Sequence, residues 1–136
     1  MRLVLVSLVC VAGLAACNNP TDVAEEKMEQ QAEATAVAAG SAPAALGLTE
    51  LQLLDAELIE PANTEIGDVV KLERDTAGNV VRLLVEIEDS NPDRFVYVPV
   101  SELKPVVRGT DTDLQTTMTI DDLKAMPEVK IPPSNP

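Results

Sequence analysis

With 136 residues, a formal charge of −13 and no histidine, the chain allows one modest domain plus appendages. One Phe, one Tyr and no Trp leave a core to be built from Val, Leu, Ile and Ala, and the negative charge repels the phosphate backbones that nucleic-acid binders neutralise with Lys and Arg. The lack of His removes the commonest general base and metal ligand, and Cys10 and Cys17 are the only cysteines, so the expected class is a non-catalytic protein without cofactor, metal site or disulfide in its folded part.

Met1-Arg2 is a short positive start, Leu3–Val11 is apolar apart from Ser7, and small residues follow at Gly13, Ala15 and Ala16. That is the order of a secretory signal, and its apolar run is shorter than the ~20 residues a spanning helix needs. Leu14-Ala15-Ala16-Cys17 resembles the bacterial lipobox, which is cleaved before its cysteine. The resemblance implies a signal peptide over residues 1–16 and diacylglycerol on the Cys17 thiol. It also implies anchorage by acyl chains worth about 0.8 kcal/mol per buried CH₂. In lipoproteins of this kind an Asp after the cysteine favours the inner membrane, so Asn18 leans towards the periplasmic face of the outer membrane. The other reading of the same residues is an ordinary signal peptide cleaved at Ala16.

Residues 17–47 form the lipidated N-terminus and an Ala/Glu/Gln-rich tether. Thr21 can cap a helix over Asp22–Ala39, ended by Gly40 and Pro43. Val23, Met28 and Val37 make no proper apolar stripe, so the segment is expected to be a half-formed helix or a flexible linker, with a coiled-coil stalk as the sharper alternative.

Over residues 48–127 the pattern changes to short apolar runs between turn residues, which predicts a mainly β domain. A first strand is expected within Leu51–Ile59, closed at Glu60–Asn63. Thr64–Arg74 alternates, with Ile66, Asp68, Val70 and Leu72 on one face and Gly67, Val69, Lys71 and Glu73 on the other. Asp75–Asn79 reads as a turn with Gly78 at positive φ. In Val80–Glu88 the residues Val81, Leu83, Val85 and Ile87 alternate with Arg82, Leu84, Glu86 and Glu88. Arg94–Val100 has Phe95 and Tyr97 opposite Val96 and Val98, and Pro99 places its end at an edge or bulge. After a turn at Ser101–Leu103, brief strands are expected at Lys104–Arg108 and Leu114–Met118. Thr119 then caps a helix over Ile120–Met126, with Asp122 completing a capping-box-like arrangement. Residues 128–136 read as a frayed tail.

Ile66-Gly67-Asp68-Val69-Val70, the turn Asp75-x-x-Gly78, Val80–Ile87 and Tyr97-Val98-Pro99-Val100-Ser101-Glu102-Leu103 together resemble the PRC-barrel family. Met118–Pro127 is similar to tails seen after bacterial members, so the likeness covers roughly Leu53–Pro127. It implies a small, largely antiparallel barrel of five or six strands with a short C-terminal helix. It further implies an assembly or interaction role with no shared catalytic residues.

Glu86, Glu88, Asp89 and Asp93 crowd one strand end and its loop, and Asp111 and Asp113 form a second acidic pair. Oxygen clusters suit hard cations such as Ca²⁺, but neither stretch has the spacing of a calcium loop. Phe95 and Tyr97 share a face as core or as a partner patch. Lys71, Arg74, Arg82 and Arg94 are expected to pair with acidic neighbours. The expected function is a membrane-anchored, non-catalytic interaction or scaffolding lipoprotein of the bacterial cell envelope. It would touch the membrane through its lipid and another envelope protein through strand edges or loops. The alternative is a small-ligand or metal-ion-binding lipoprotein using the acidic loop near Asp89–Asp93.

Overall fold

The computed structural model describes residues 19–133. The signal peptide, the lipobox with Cys17 and residues 134–136 lie outside them. The described chain runs α1 (Pro20–Ala39), β1 (Pro43–Ala45), β2 (Leu48–Thr49), α2 (Glu50–Leu54), β3 (Glu57–Ile59), β4 (Glu65–Arg74), β5 (Val80–Ile87) and β6 (Phe95–Pro99). A 3₁₀ turn (Val100–Glu102), β7 (Leu103–Arg108), β8 (Asp111–Thr116) and α3 (Ile120–Ala125) complete it.

Six strands make one mixed sheet in the order β6-β5-β4-β3-β8-β7, and β1 and β2 pair as a separate two-stranded ribbon. All neighbours in the larger sheet are antiparallel except β3 and β8, where Leu58 lies opposite Leu114 in a parallel pair. The expected antiparallel arrangement is thus corrected to a mixed sheet at one pair: β3 and β8 are far apart in sequence, so no hairpin dictates their direction. Among the described residues no ladder joins β6 to β7, and closure into a barrel is not observed. The sheet nevertheless curls strongly. Pro99 ends β6 and Leu103 begins β7 at the opposite end of the strand order. Four peptide steps span at most roughly 14 Å, so the two edges meet at that corner.

The concave side holds the main core. Leu58 of β3, Ile66 and Val69 of β4, Leu83, Val85 and Ile87 of β5, Val96 and Val98 of β6, Leu103 of β7 and Leu114 of β8 pack with Leu53 of α2 and Leu123 of α3. Three register slips decide which residues reach it, the first of β4 against β3, where Leu58 and Ile59 pair with Gly67 and Glu65 and leave Ile66 as an extra residue. The register of β4 against β5 slips between Val69 and Lys71 and again between Glu73 and Arg74. An extra residue resets the in–out alternation. Val69 and Leu72 therefore join Ile66 on the core side, while Val70 turns to the other face, against the strict alternation expected from the sequence. Val80 is likewise taken inside and Val81 is left 42% exposed.

The first predicted strand is replaced in its N-terminal half by α2. Thr49 and Gln52 supply a complete capping box, which satisfies orphan helix donors and starts a turn of helix where apolar content alone suggested strand. The second box, Thr119 with Asp122, forms as expected and starts α3. Pro99 lies on β6 at the edge of the sheet, where its missing N–H leaves no ladder bond unmade. Downstream of α3 the chain returns to the sheet: Val129 N–H donates to Phe95 O at 2.8 Å. Residues 128–133 thus include a strand contact where a frayed tail was expected.

The largest departure is α1. In place of a half-formed tether, Pro20–Ala39 is one continuous helix with Pro at its first turn, entered from Asn19 rather than from Thr21. Ala24 and Ala36 are buried, and Met28 and Ala32 are half-buried. These four residues recur every fourth position and make a narrow stripe of mostly small side chains, while Val37 points away at 61% exposure.

Candidate functional site

The outer face of the sheet, under α1, is where charge and apolar surface meet. Strand pairing sets its composition. Asp68 of β4 lies opposite Glu86 of β5, Lys71 opposite Leu84, and Glu73 opposite Arg82. On β6, Phe95 lies opposite Glu86 and Tyr97 opposite Leu84. The apolar part, Val70, Leu84 and Phe95 with half-buried Tyr97, packs against Met28 of α1 and against Val129 and Ile131 of the returning chain. Phe95 and Tyr97 do share a face, and Arg82 sits over the Tyr97 ring at 3.9 Å from its centroid. Burial, then the nearby Glu73 carboxylate, raises the Tyr97 phenol above its ordinary range.

The acidic part is denser than the sequence suggested. Glu25 and Glu29 of α1 bring carboxylate oxygens within 4.8 Å of one another and of Glu86. Glu65, Asp68 and Glu88 form a second such group. Desolvation pushes Glu86 up to about 7, helped by the Glu25 carboxylate with which it shares a hydrogen bond and by Asp93 and Asp68. Desolvation likewise raises Glu25, with Asp93, Glu29 and Asp22 adding repulsion. Glu29 is raised by desolvation, Asp68 and Glu26. Glu65 is raised by desolvation and then by Glu57, Asp68, Glu88 and Asp113. Asp68 opposite Glu86 is a like-charge pair across the strands, and the Glu25 carboxylate adds a second one from the helix, so proximity favours the protonated form of Glu86.

The loop residues proposed from sequence are only partly in this cluster. Ser90 Oγ donates to Ile87 O at 2.7 Å and accepts from Arg94 N–H at 3.0 Å, which closes the loop on itself. A cleft of about 190 Å³ is lined by Asp68, Glu86, Glu88, Asp89, Ser90 and Asp93. The second acidic pair separates. Asp113 is buried and accepts from Arg108 Nη1 at 2.9 Å, a structural ion pair, while Asp111 is exposed. Of the four cations expected to pair, Arg74 reaches Glu50 and Arg94 donates to Met126 O at 3.0 Å.

Glu25 and Glu29 are not legible as site residues in a segment that reads as a linker, and Asp68 is not because strict alternation along Thr64–Arg74 sets it on one face with Ile66, Val70 and Leu72. The available signal was the four-residue spacing Ala24-Met28-Ala32-Ala36, which places Glu25 and Glu29 along the neighbouring row of the helix. Chemically, a carboxyl held near neutrality can donate or accept a proton. The two clefts beside Glu86 are lined mainly by further carboxylates, among them Glu29, Glu33, Asp55 and Asp68, and the one hydroxyl there, on Ser90, is engaged by Ile87 O and Arg94 N–H. Carboxylates gathered this closely favour an opposite charge beside them. Comparison with family models and with curated proteins returns no match.

Proposed function

We propose that the chain is a lipid-anchored, non-catalytic interaction or scaffolding protein of a bacterial envelope, with a PRC-barrel-like domain held at the periplasmic face of a membrane through Cys17. The observation that carries this reading is the Leu14-Ala15-Ala16-Cys17 pattern behind an apolar run of signal-peptide length. Two further features support an interaction role. Among the described residues β7 is an edge of the sheet and β6 is met only by Val129 at Phe95, so both strands offer backbone groups that can pair with another chain. On β7, Val107 stands 74% exposed. Among the described residues no helix is long and apolar enough to cross a membrane.

Cys17→Ser is expected to abolish incorporation of labelled fatty acid into the protein in cells, and a labelled product from that variant contradicts the anchor. Crosslinking and affinity recovery from membranes with the lipid intact should return a reproducible envelope protein, whereas repeated recovery of the chain alone contradicts the scaffold.

A second reading, a site for a divalent cation, is favoured by the two carboxylate groups Glu25/Glu29/Glu86 and Glu65/Asp68/Glu88. A cation at tenfold its Kd stabilises the native state by about 1.4 kcal/mol, so Ca²⁺ in that range must raise the melting temperature by several degrees. An unchanged melting curve at about 10 mM Ca²⁺ removes this reading.

A further inference from the structure

Helix α1 covers the outer sheet face but fits it poorly. Its apolar contacts are two buried alanines, half-buried Ala32 and one half-buried Met. A cleft of about 370 Å³ opens on one flank, between Met28, Gln31 and Thr35 of the helix and Lys71 and Glu73 of β4. A second of about 360 Å³ opens on the other flank, between Glu29 and Glu33 of the helix and Asp68, Val70 and Glu86 of the sheet. The apolar bed of Val70, Leu84, Phe95 and Tyr97 is thus offered to a helix that answers it mostly with alanine.

The charges fit no better. Facing Glu86 are Glu25 and Glu29 from α1, Asp68 from β4 and Asp93 from the β5–β6 loop, with Asp22 beside Glu25 and with Glu33 and Asp55 along the same cleft. The cations of α1, β4, β5 and the β5–β6 loop are placed elsewhere. Arg74 is engaged by Glu50, Arg82 lies over Tyr97, Arg94 is held by Met126 O, Lys71 lines the opposite cleft, and Lys27 is exposed on α1. Like charges at a contact raise the cost of a wrong partner and mark where an opposite charge would bind.

We propose that α1 is a displaceable lid on the outer face of the sheet, standing in the place of a partner helix that carries Lys or Arg where α1 carries Glu25 and Glu29. Such a helix lays its apolar side on Val70, Leu84, Phe95 and Tyr97, and its cationic side chains meet Asp68, Glu86 and Asp93. The mode is helix-in-groove recognition with complementary charge. Its ionic part weakens with salt, because Asp68 and Asp93 are exposed and Glu86 is only half-buried. This deepens the scaffolding reading and rests on it only for the expectation of a protein partner. The lipid anchor plays no part.

The test uses a synthetic peptide with the sequence of residues 20–39 carrying Glu25→Lys and Glu29→Lys, added to the full chain at about pH 8 and low salt. It should bind about tenfold more tightly than the unaltered peptide, as two reversed charges worth a fraction of a kcal/mol each allow. The difference should shrink in about 0.5 M NaCl, and the amides of α1 should lose hydrogen-exchange protection as the helix is displaced. No binding of the Lys peptide at millimolar concentration overturns the proposal, and so does binding that leaves α1 protected. Equal binding of both peptides also overturns it and assigns the face to α1 of a second copy. A negative peptide result together with a partner recovered from membranes would leave scaffolding intact and move the contact to a strand edge.

Discussion

Gly67→Ala is expected to lower the melting temperature of this domain by roughly 10–20 °C, the consequence of a loss of about 2–3 kcal/mol in a small fold. Gly67 lies in β4 between Leu58 of β3 and Ile87 of β5. A Cβ at this position would stand 2.4 Å from the Glu86 carbonyl oxygen and 2.7 Å from Val85 Cγ1. The obstacle is backbone, so relief requires β4 and β5 to part in the ladder that carries Ile66, Val69, Leu83 and Val85 into the core. Gly78→Ala makes the contrast. Gly78 has φ +88° and an added methyl would meet nothing within 4 Å, so its cost is the left-handed backbone alone, about 1–2 kcal/mol. Circular-dichroism melts of the two variants check this, and a Gly67→Ala midpoint within a few degrees of the parent refutes the close approach.

The second large effect is on pH. Stability is expected to fall as pH rises from about 4.5 to about 7, the reverse of the usual carboxylate behaviour. Glu86 has its folded pKa raised from 4.5 to about 7, so the native state binds more protons than the unfolded chain across that window. The stabilisation is complete below 4.5 and is lost as pH climbs through the folded value. Unscreened, such a shift corresponds to ~3.4 kcal/mol. Glu86 is only half-buried, and screening reduces this to roughly 1–2 kcal/mol. Glu25, Glu29 and Glu65 are raised too and act in the same direction. Asp75 is lowered by hydrogen bonds from Asn79 and Asp122 by hydrogen bonds from Thr119, so they act oppositely, their contribution being lost as pH falls below about 4. Urea unfolding at pH 5 and pH 8 should therefore give the higher midpoint at pH 5. Glu86→Gln should raise the pH 8 midpoint and flatten the profile, and a steeper profile in that variant contradicts the assignment.

Both effects meet on one pair of strands, where β5 passes its Glu86 carbonyl close to Gly67 and its Glu86 side chain out towards α1. The tight approach positions the acidic side chain. Weakening the β4–β5 ladder should therefore disturb the outer face as well as the core.

Local chemistry was legible in the sequence. Asp75 accepts from Ala77 N–H and Asn79 N–H at 2.9 Å, which builds the turn that Gly78 announced. Thr119 and Asp122 close their capping box, Pro99 sits at an edge, and the Val, Leu and Ile runs from Glu65 to Pro99 form the strands expected of them. Each of these depends on residues within a few positions of one another, so the local sequence carries the instruction. The mainly β class and the short C-terminal helix follow from the same kind of signal.

Tertiary structure decided the rest. A slip of β4 against β3 at Ile66 and one of β5 against β4 at Val81 chose Val69 and Val80 over Val70 and Val81 for the main core, because the place where one strand slips against another is set by the partner strand. The parallel pairing of β3 with β8 joins segments far apart in the chain, and no local pattern encodes its direction. The docking of α1 rests on a stripe of Ala24, Met28, Ala32 and Ala36 too weakly apolar to be recognised without the sheet beneath it. That docking is what brings Glu25 and Glu29 to Glu86. The pattern at Cys17 is written in consecutive residues, whereas the acidic face exists only after residues from a helix, two strands and a loop have been folded onto one another.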